Sequence, residues 1–125
     1  MPDQGAGGVL IVEDEEELRH LFAILLEMEG FKVLQANDGN QGLDLLQKHA
    51  GEVRLLITDL NLPRIAGMDL ISRARALNPS IKIVGTSGMS GKAVHEMVIK
   101  AGADDFIAKP FQPSEAIAKL KAILR

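Results

Sequence analysis

Five short apolar runs, each followed by a longer stretch with helical periodicity, restrict this chain to very few folds. The runs are Val9–Val12, the stretch around Phe31, Val33 and Leu34, then Val53–Thr58, Ile81–Thr86 and Asp105–Ala108. Successive Val, Ile and Leu suit strands covered on both faces, not the in–out alternation of a half-exposed sheet. Between them lie sets at helical spacing: Leu18, Leu21, Phe22, Leu25 and Leu26; Leu43, Leu45 and Leu46; Leu70, Ile71, Ala74 and Leu77; Val94, Met97, Val98 and Ala101. Ile117, Leu120, Ile123 and Leu124 complete the series after Pro113, a residue suited to opening a helix. Glu15, Glu16 and Glu17 fall in the first turn of the first helix, where the helix dipole favours negative charge. Gly30, Asn37-Asp38-Gly39, Asn78-Pro79 and Gly102 end elements, and Pro63 and Gly67 punctuate the loop after the third strand. Strict alternation predicts a doubly wound α/β fold, a parallel sheet with helices on both faces.

At 125 residues one domain is expected, and it buries well over half of its unfolded surface without a disulfide or metal staple. With 0 cysteines, disulfides, thiolate metal sites and cysteine nucleophiles are excluded, and a reducing compartment is suited. A net charge of -3 with 25% charged residues gives no case for a nucleic-acid-binding surface. Aromatic residues at 3%, with no Trp or Tyr, offer bases no stacking platform. No apolar run approaches the roughly 20 residues of a membrane span. Residues 1–8 are small, polar and Gly-rich, lack signal-peptide regions, and read as a flexible arm or linker before a domain spanning 9–125.

Two strands end in acid. Glu13 and Asp14 leave strand 1, and Asp59 leaves strand 3. Ligands of open α/β sheets bind beyond the carboxyl ends of the strands, where strand order reverses; in the order 2-1-3-4-5 strands 1 and 3 are neighbours at that crevice. Three converging carboxylates repel unless a cation joins them or a proton neutralises one. An all-oxygen set favours a hard ion such as magnesium over zinc or copper. Each acid alone is an ordinary N-cap or solvated loop residue; their joint placement at strand ends is what points to a site.

The other strand ends add complementary groups. Ser87 lies where strand 4 meets the crevice, its hydroxyl able to bond an anion's oxygen, and Gly88 beside it leaves room; a plain turn is the bland alternative. Lys109 ends strand 5 before Pro110, placed to pair with the acids or bind a phosphoryl oxygen, unless it is a solvated surface lysine. Pro110 fixes the loop and allows a cis bond, the minority state. Acids, a hydroxyl and an ammonium together suit metal-assisted phosphoryl chemistry, in which a carboxylate can be the nucleophile and form an aspartyl-phosphate.

In its motifs the chain resembles the receiver domain of bacterial two-component response regulators or of a hybrid histidine kinase. The likeness rests on "ED" after strand 1, "ITDLNLPRIAG" after strand 3, "TSG" after strand 4 and "AKPF" after strand 5, in the right order and spacing from Val9 to Arg125. It implies a flavodoxin-like (βα)5 three-layer sandwich of sheet order 2-1-3-4-5, with Asp59 as phosphoacceptor. A histidine kinase or histidine phosphotransfer protein would be the donor. Asp14 and Asp59 would ligate Mg2+ directly, Asn61 through its backbone carbonyl and Glu13 mainly through water. Ser87, Gly88 and Lys109 would hold the phosphoryl oxygens. Ser87 and Phe106 would form the switch, Phe106 standing where the family often has Tyr, and helix 4, strand 5 and helix 5 the face that changes. Asn61 and Met89 would tune phosphoryl lifetime, Met89 giving slow to moderate self-dephosphorylation because it cannot orient water. The likeness also implies a cytoplasmic signalling domain, not a turnover enzyme, with a downstream effector or attached output domain. No direct contact with nucleic acid or membrane is implied, and a homodimer on activation is left open.

Three rivals remain. A nucleotide hydrolase would need glycine where Thr86 stands and Ser or Thr where Ala93 stands in "TSGMSGKA", and the reverse motif order. A flavodoxin-like electron carrier would need a phosphate cradle where "EDEEE" lies. A degenerate receiver would keep the fold as a binding module and lose the chemistry. Phe106 also has a bland reading as a core aromatic. His20, His49 and His95 sit in helical segments with no paired acid or metal-ligand spacing and read as surface residues.

Overall fold

The computed structural model describes residues 8–49, 51–61, 66–89 and 91–124. The chain alternates β1 (Gly8–Val12), α1 (Glu16–Met28), β2 (Lys32–Ala36), α2 (Gly39–Lys48), β3 (Val53–Asp59), α3 (Gly67–Leu77), β4 (Lys82–Ser87), α4 (Lys92–Ala101), β5 (Asp105–Ala108) and α5 (Pro113–Leu124). The strands form one parallel sheet in the order β2-β1-β3-β4-β5, the arrangement expected from the sequence. No described helix is long and apolar enough to cross a membrane.

Because successive strand side chains point to opposite faces, the sheet divides its apolar residues into two cores. Leu10, Val12, Leu56, Ile83 and Phe106 face α2, α3 and α4 with Leu46, Leu70, Ile71 and Val98. Val9, Ile11, Leu55, Ile57, Val84 and Ile107 face α1 and α5 with Phe22, Leu26, Ile117 and Leu120. The continuous apolar runs within β1, β3 and β4 are thus explained: both faces are covered there.

Several boundaries differ from the sequence expectation: β2 begins at Lys32, after Phe31, and β3 runs on to Asp59. The reading of residues 1–8 as an arm falls largely outside the described residues, but Gly8 itself belongs to β1. Its N–H donates to the Glu52 carbonyl at 3.1 Å, and a Cβ there would lie 2.6 Å from that oxygen, so glycine permits the approach. Strand β4 runs one residue later than expected, from Lys82 to Ser87, because Ile81 is held by Asn78 through a turn. Glu15 is the N-cap of α1 and not part of its first turn, which carries Glu16 and Glu17. Pro63 lies outside the described residues. Asp38 caps α2, its Oδ1 accepting the Gln41 N–H at 2.8 Å.

Candidate functional site

Strand register brings the acids together. Val12 pairs with Thr58, so the next residues, Glu13 and Asp59, emerge side by side from β1 and β3. Asp59 pairs with Thr86 and Ser87 with Ala108, which sets Ser87 and Lys109 at the same edge. The Lys109 N–H donates to the Ser87 carbonyl at 2.8 Å and prolongs the pairing one residue past β5. Glu13, Asp59 and Lys109 continue the strand positions that face α1 and α5, whereas Phe106 faces α4.

The side chains meet as this register requires. The Lys109 ammonium donates to Glu13 Oε1 at 2.8 Å and to Asp59 Oδ2 at 3.1 Å. Both carboxylates are buried, their side chains 5% and 6% exposed. Asp59 Oδ1 accepts the Asn61 backbone N–H at 3.1 Å, and Glu13 Oε2 accepts that of Glu15 at 3.0 Å. Asp14 is exposed, yet its carboxylate and those of Glu13 and Asp59 offer oxygens all within 4.8 Å of one another. Three acids against one lysine leave the cluster short of positive charge. Burial raises the Glu13 carboxyl above its ordinary value, and the charge of Asp59 adds to that, against the hydrogen bonds from Lys109 and the Glu15 backbone. Burial also disfavours the Lys109 ammonium, but the hydrogen bonds and charges of Glu13 and Asp59 outweigh it and hold Lys109 above its ordinary value. The all-oxygen donor set fits a hard divalent cation such as magnesium.

The remaining candidates lie in or just after strands β4 and β5. Ser87 is fully buried, its Oγ accepting the Met89 N–H at 3.0 Å. Gly88 is exposed, and a Cβ there would meet nothing within 4 Å. Met89 is 58% exposed. Phe106 is 6% exposed and packs into the α4-side core, its ring 6.0 Å from that of His95. The peptide bond before Pro110 is cis.

One expectation needs correcting. His49 does have an acidic neighbour: its Nδ1 lies 3.4 Å from Glu52 Oε1, though not aligned as a hydrogen bond. Helical spacing hid the pair because the turn after α2 curls Glu52 back, its N–H bonding the His49 carbonyl at 2.8 Å. His20 and His95 are exposed as expected.

Sequence reasoning also missed two supports. Arg19 on α1 donates through Nη1 to the Glu13 carbonyl at 2.9 Å, while the Glu13 N–H bonds Ala36 at 3.0 Å. The backbone that presents the buried acid is thereby held from both sides. Gly67 opens α3 against the end of β3, where a Cβ would overlap the Asp59 carbonyl. An arginine six residues after an acid carries no recognisable spacing signal; Gly67 was visible only as loop punctuation.

Residues 9–121 match the family model of the response regulator receiver domain. The transcriptional regulatory protein CpxR of Escherichia coli K12 is 38% identical over 118 residues, 94% of this chain and 49% of that protein. This chain therefore spans about half the length of that relative. A CheY-like receiver domain protein from Methanospirillum hungatei superposes with a TM-score of 0.84 at 30% identity, covering 94% of this chain and 93% of its own. A response regulator from Burkholderia pseudomallei, solved with a phosphorylated aspartic acid, a calcium ion and citrate, superposes with a TM-score of 0.80 at 28% identity. That match covers 90% of this chain and 65% of the other.

Proposed function

This chain belongs to the response regulator receiver domain family, and from that premise we propose that Asp59 accepts a phosphoryl group in a magnesium-dependent reaction. The observation that carries the reading is the Lys109 ammonium shared between buried Glu13 and Asp59, with Asp14 beside them. A structural ion pair needs one acid; a third carboxylate adds only repulsion unless a cation is to be held. Asp14, Asp59 and the Asn61 carbonyl would hold the ion directly, and Glu13 would act mainly through water. Bound magnesium neutralises carboxylate charge and stabilises charge on the phosphoryl oxygens.

Asp59 is the nucleophile. A carboxylate oxygen forms the bond to phosphorus as the phosphorus–nitrogen bond of a phosphohistidine breaks, and the departing imidazole takes up a proton. Lys109 already donates to Asp59 Oδ2 and turns one of its three N–H groups to the incoming phosphoryl oxygen. The Ser87 oxygen accepts from Met89, and that bond leaves its hydroxyl proton free to donate to the same group. Gly88 leaves the approach open. Movement of Ser87 toward the phosphoryl group alters the packing around Phe106, and the face of α4, β5 and α5 reports the change. Asn61 and exposed Met89 tune hydrolysis, and Met89 offers no group to orient water, which supports a slow to moderate loss.

The donor is a histidine kinase or a histidine phosphotransfer protein, and the domain acts in the cytoplasm. Output passes to a downstream effector or an attached output domain, consistent with a relative described as a transcriptional regulator and twice as long. The test is intact mass after acetyl phosphate, with and without Mg2+, for wild type and Asp59→Asn. One added phosphoryl group in wild type alone, and only with Mg2+, is expected. Equal gain in both proteins would remove Asp59 from the centre of the mechanism.

A further inference from the structure

Asp14 is the least supported member of the acidic cluster. Glu13 is fixed by Lys109 and the Glu15 backbone, and Asp59 by Lys109 and the Asn61 backbone. The Asp14 side chain is exposed, and among the described residues no hydrogen bond or ion pair holds it. What orients it is the backbone. The Glu13 carbonyl and the Asp14 N–H belong to one rigid peptide plane, so a bond that fixes the carbonyl also fixes the direction in which the Asp14 Cα leaves that plane. Arg19 makes that bond, its Nη1 donating to the Glu13 oxygen at 2.9 Å. The plane before Glu13 is held too, its N–H donating to the Ala36 carbonyl at 3.0 Å.

Arg19 is itself anchored. Phe22, Ala23 and Leu26, on the same side of α1, are buried against the sheet. Its Nε donates to Gln35 Oε1 at 3.2 Å, and Gln35 stands opposite Ile11 in the register of β1 and β2. A planar guanidinium that bonds through Nε and Nη1 at once takes a single orientation, which the point charge of a lysine would not.

We propose that Arg19 is a positioning residue of the cation site: by holding the Glu13–Asp14 peptide plane it sets where the Asp14 carboxylate stands, and so makes the site prefer magnesium to calcium. This role rests on the magnesium reading of the acidic cluster. Two opposing effects give it a sign. As a positive charge near three carboxylates, Arg19 repels any cation, so by Coulomb's law alone its removal strengthens the binding of both ions equally. Position acts the other way, and unequally. Magnesium demands near-ideal octahedral geometry at about 2.0–2.1 Å, whereas calcium accepts flexible geometry at about 2.3–2.6 Å. A displaced Asp14 therefore costs magnesium more than calcium.

Titration calorimetry of Mg2+ and of Ca2+ into the EDTA-stripped chain, with no phosphodonor, separates these effects. Arg19→Met should weaken Mg2+ binding about tenfold, the low end for loss of a group that orients a metal ligand. Ca2+ binding should weaken by about twofold or less, so the preference for Mg2+ falls by at least about fivefold. Gln35→Leu changes no charge and alters an exposed side chain, and it should move the preference the same way by a smaller factor. Arg73→Met, which removes a charge 3.5 Å from Asp69, should leave both affinities in place. Equal or tighter Mg2+ binding by Arg19→Met, or an equal loss of both ions, overturns the proposal. Should Arg19→Met fail to fold, Gln35→Leu decides, and an unchanged preference there overturns it. A wild type that binds neither ion refutes the magnesium reading, and this role with it.

Discussion

Replacing Lys109 with Met tests whether the acidic cluster is held together by that one charge. Met keeps most of the stem's packing and removes the ammonium from between Glu13 and Asp59. The two buried carboxylates then face each other with oxygens within 4.8 Å. At an effective dielectric constant near 20, two unit charges at that separation repel by about 3.5 kcal/mol. Protonating a carboxyl of ordinary pKa about 4.3 costs about 4.4 kcal/mol at pH 7.5 but only about 1.6 kcal/mol at pH 5.5. At pH 7.5 the variant therefore stays ionised and loses about 3.5 kcal/mol, whereas at pH 5.5 a proton caps the loss near about 1.6 kcal/mol. In linkage terms a carboxyl has its folded pKa raised. Its stabilising effect is present below the unfolded value and is lost as pH rises through the folded one. Urea unfolding in EDTA of both proteins at the two pH values measures this, with unchanged slope m as the check on two-state behaviour. A difference from wild type equal at both pH values, or larger at pH 5.5, would refute the reasoning.

Magnesium at ten times its dissociation constant should stabilise the wild type by about 1.4 kcal/mol, raising Tm by roughly 3–6 °C. Asp14→Asn, which relieves repulsion within the acidic cluster, should raise the metal-free Tm slightly and shrink that shift, as thermal melts with and without Mg2+ would report. Gly67→Ala should lose at least about 2 kcal/mol in urea unfolding and slow phosphoryl uptake, since the added methyl collides with the backbone presenting Asp59. Gly85→Ala meets side chains of Val98 and Leu60 at 2.9 and 3.3 Å, which yield more readily, so a loss of about 1–2 kcal/mol is expected from the same assay.

What the sequence made legible follows from two periodicities. Continuous apolar runs declared a two-sided sheet, and the strand ends had to emerge at one edge, so Glu13, Asp59, Ser87 and Lys109 were readable before any contact was known. Register then does the rest: a shift of one residue between β1 and β3 would have sent Glu13 and Asp59 to opposite faces. Arg19 and Arg75 were not readable, because their partners are mostly backbone carbonyls, present at every position and marked by no residue type. The same limit hid the contrast within α4, whose Val94, Met97, Val98 and Ala101 gave an ordinary helical pattern although only Val98 is buried. Periodicity says which face turns inward, not how firmly it is held. The acids that do the proposed chemistry therefore announce themselves at strand ends. Arg19, which holds the backbone of Glu13, and Arg75, which ties α3 to the turn after α4, come into view only when the chain is folded.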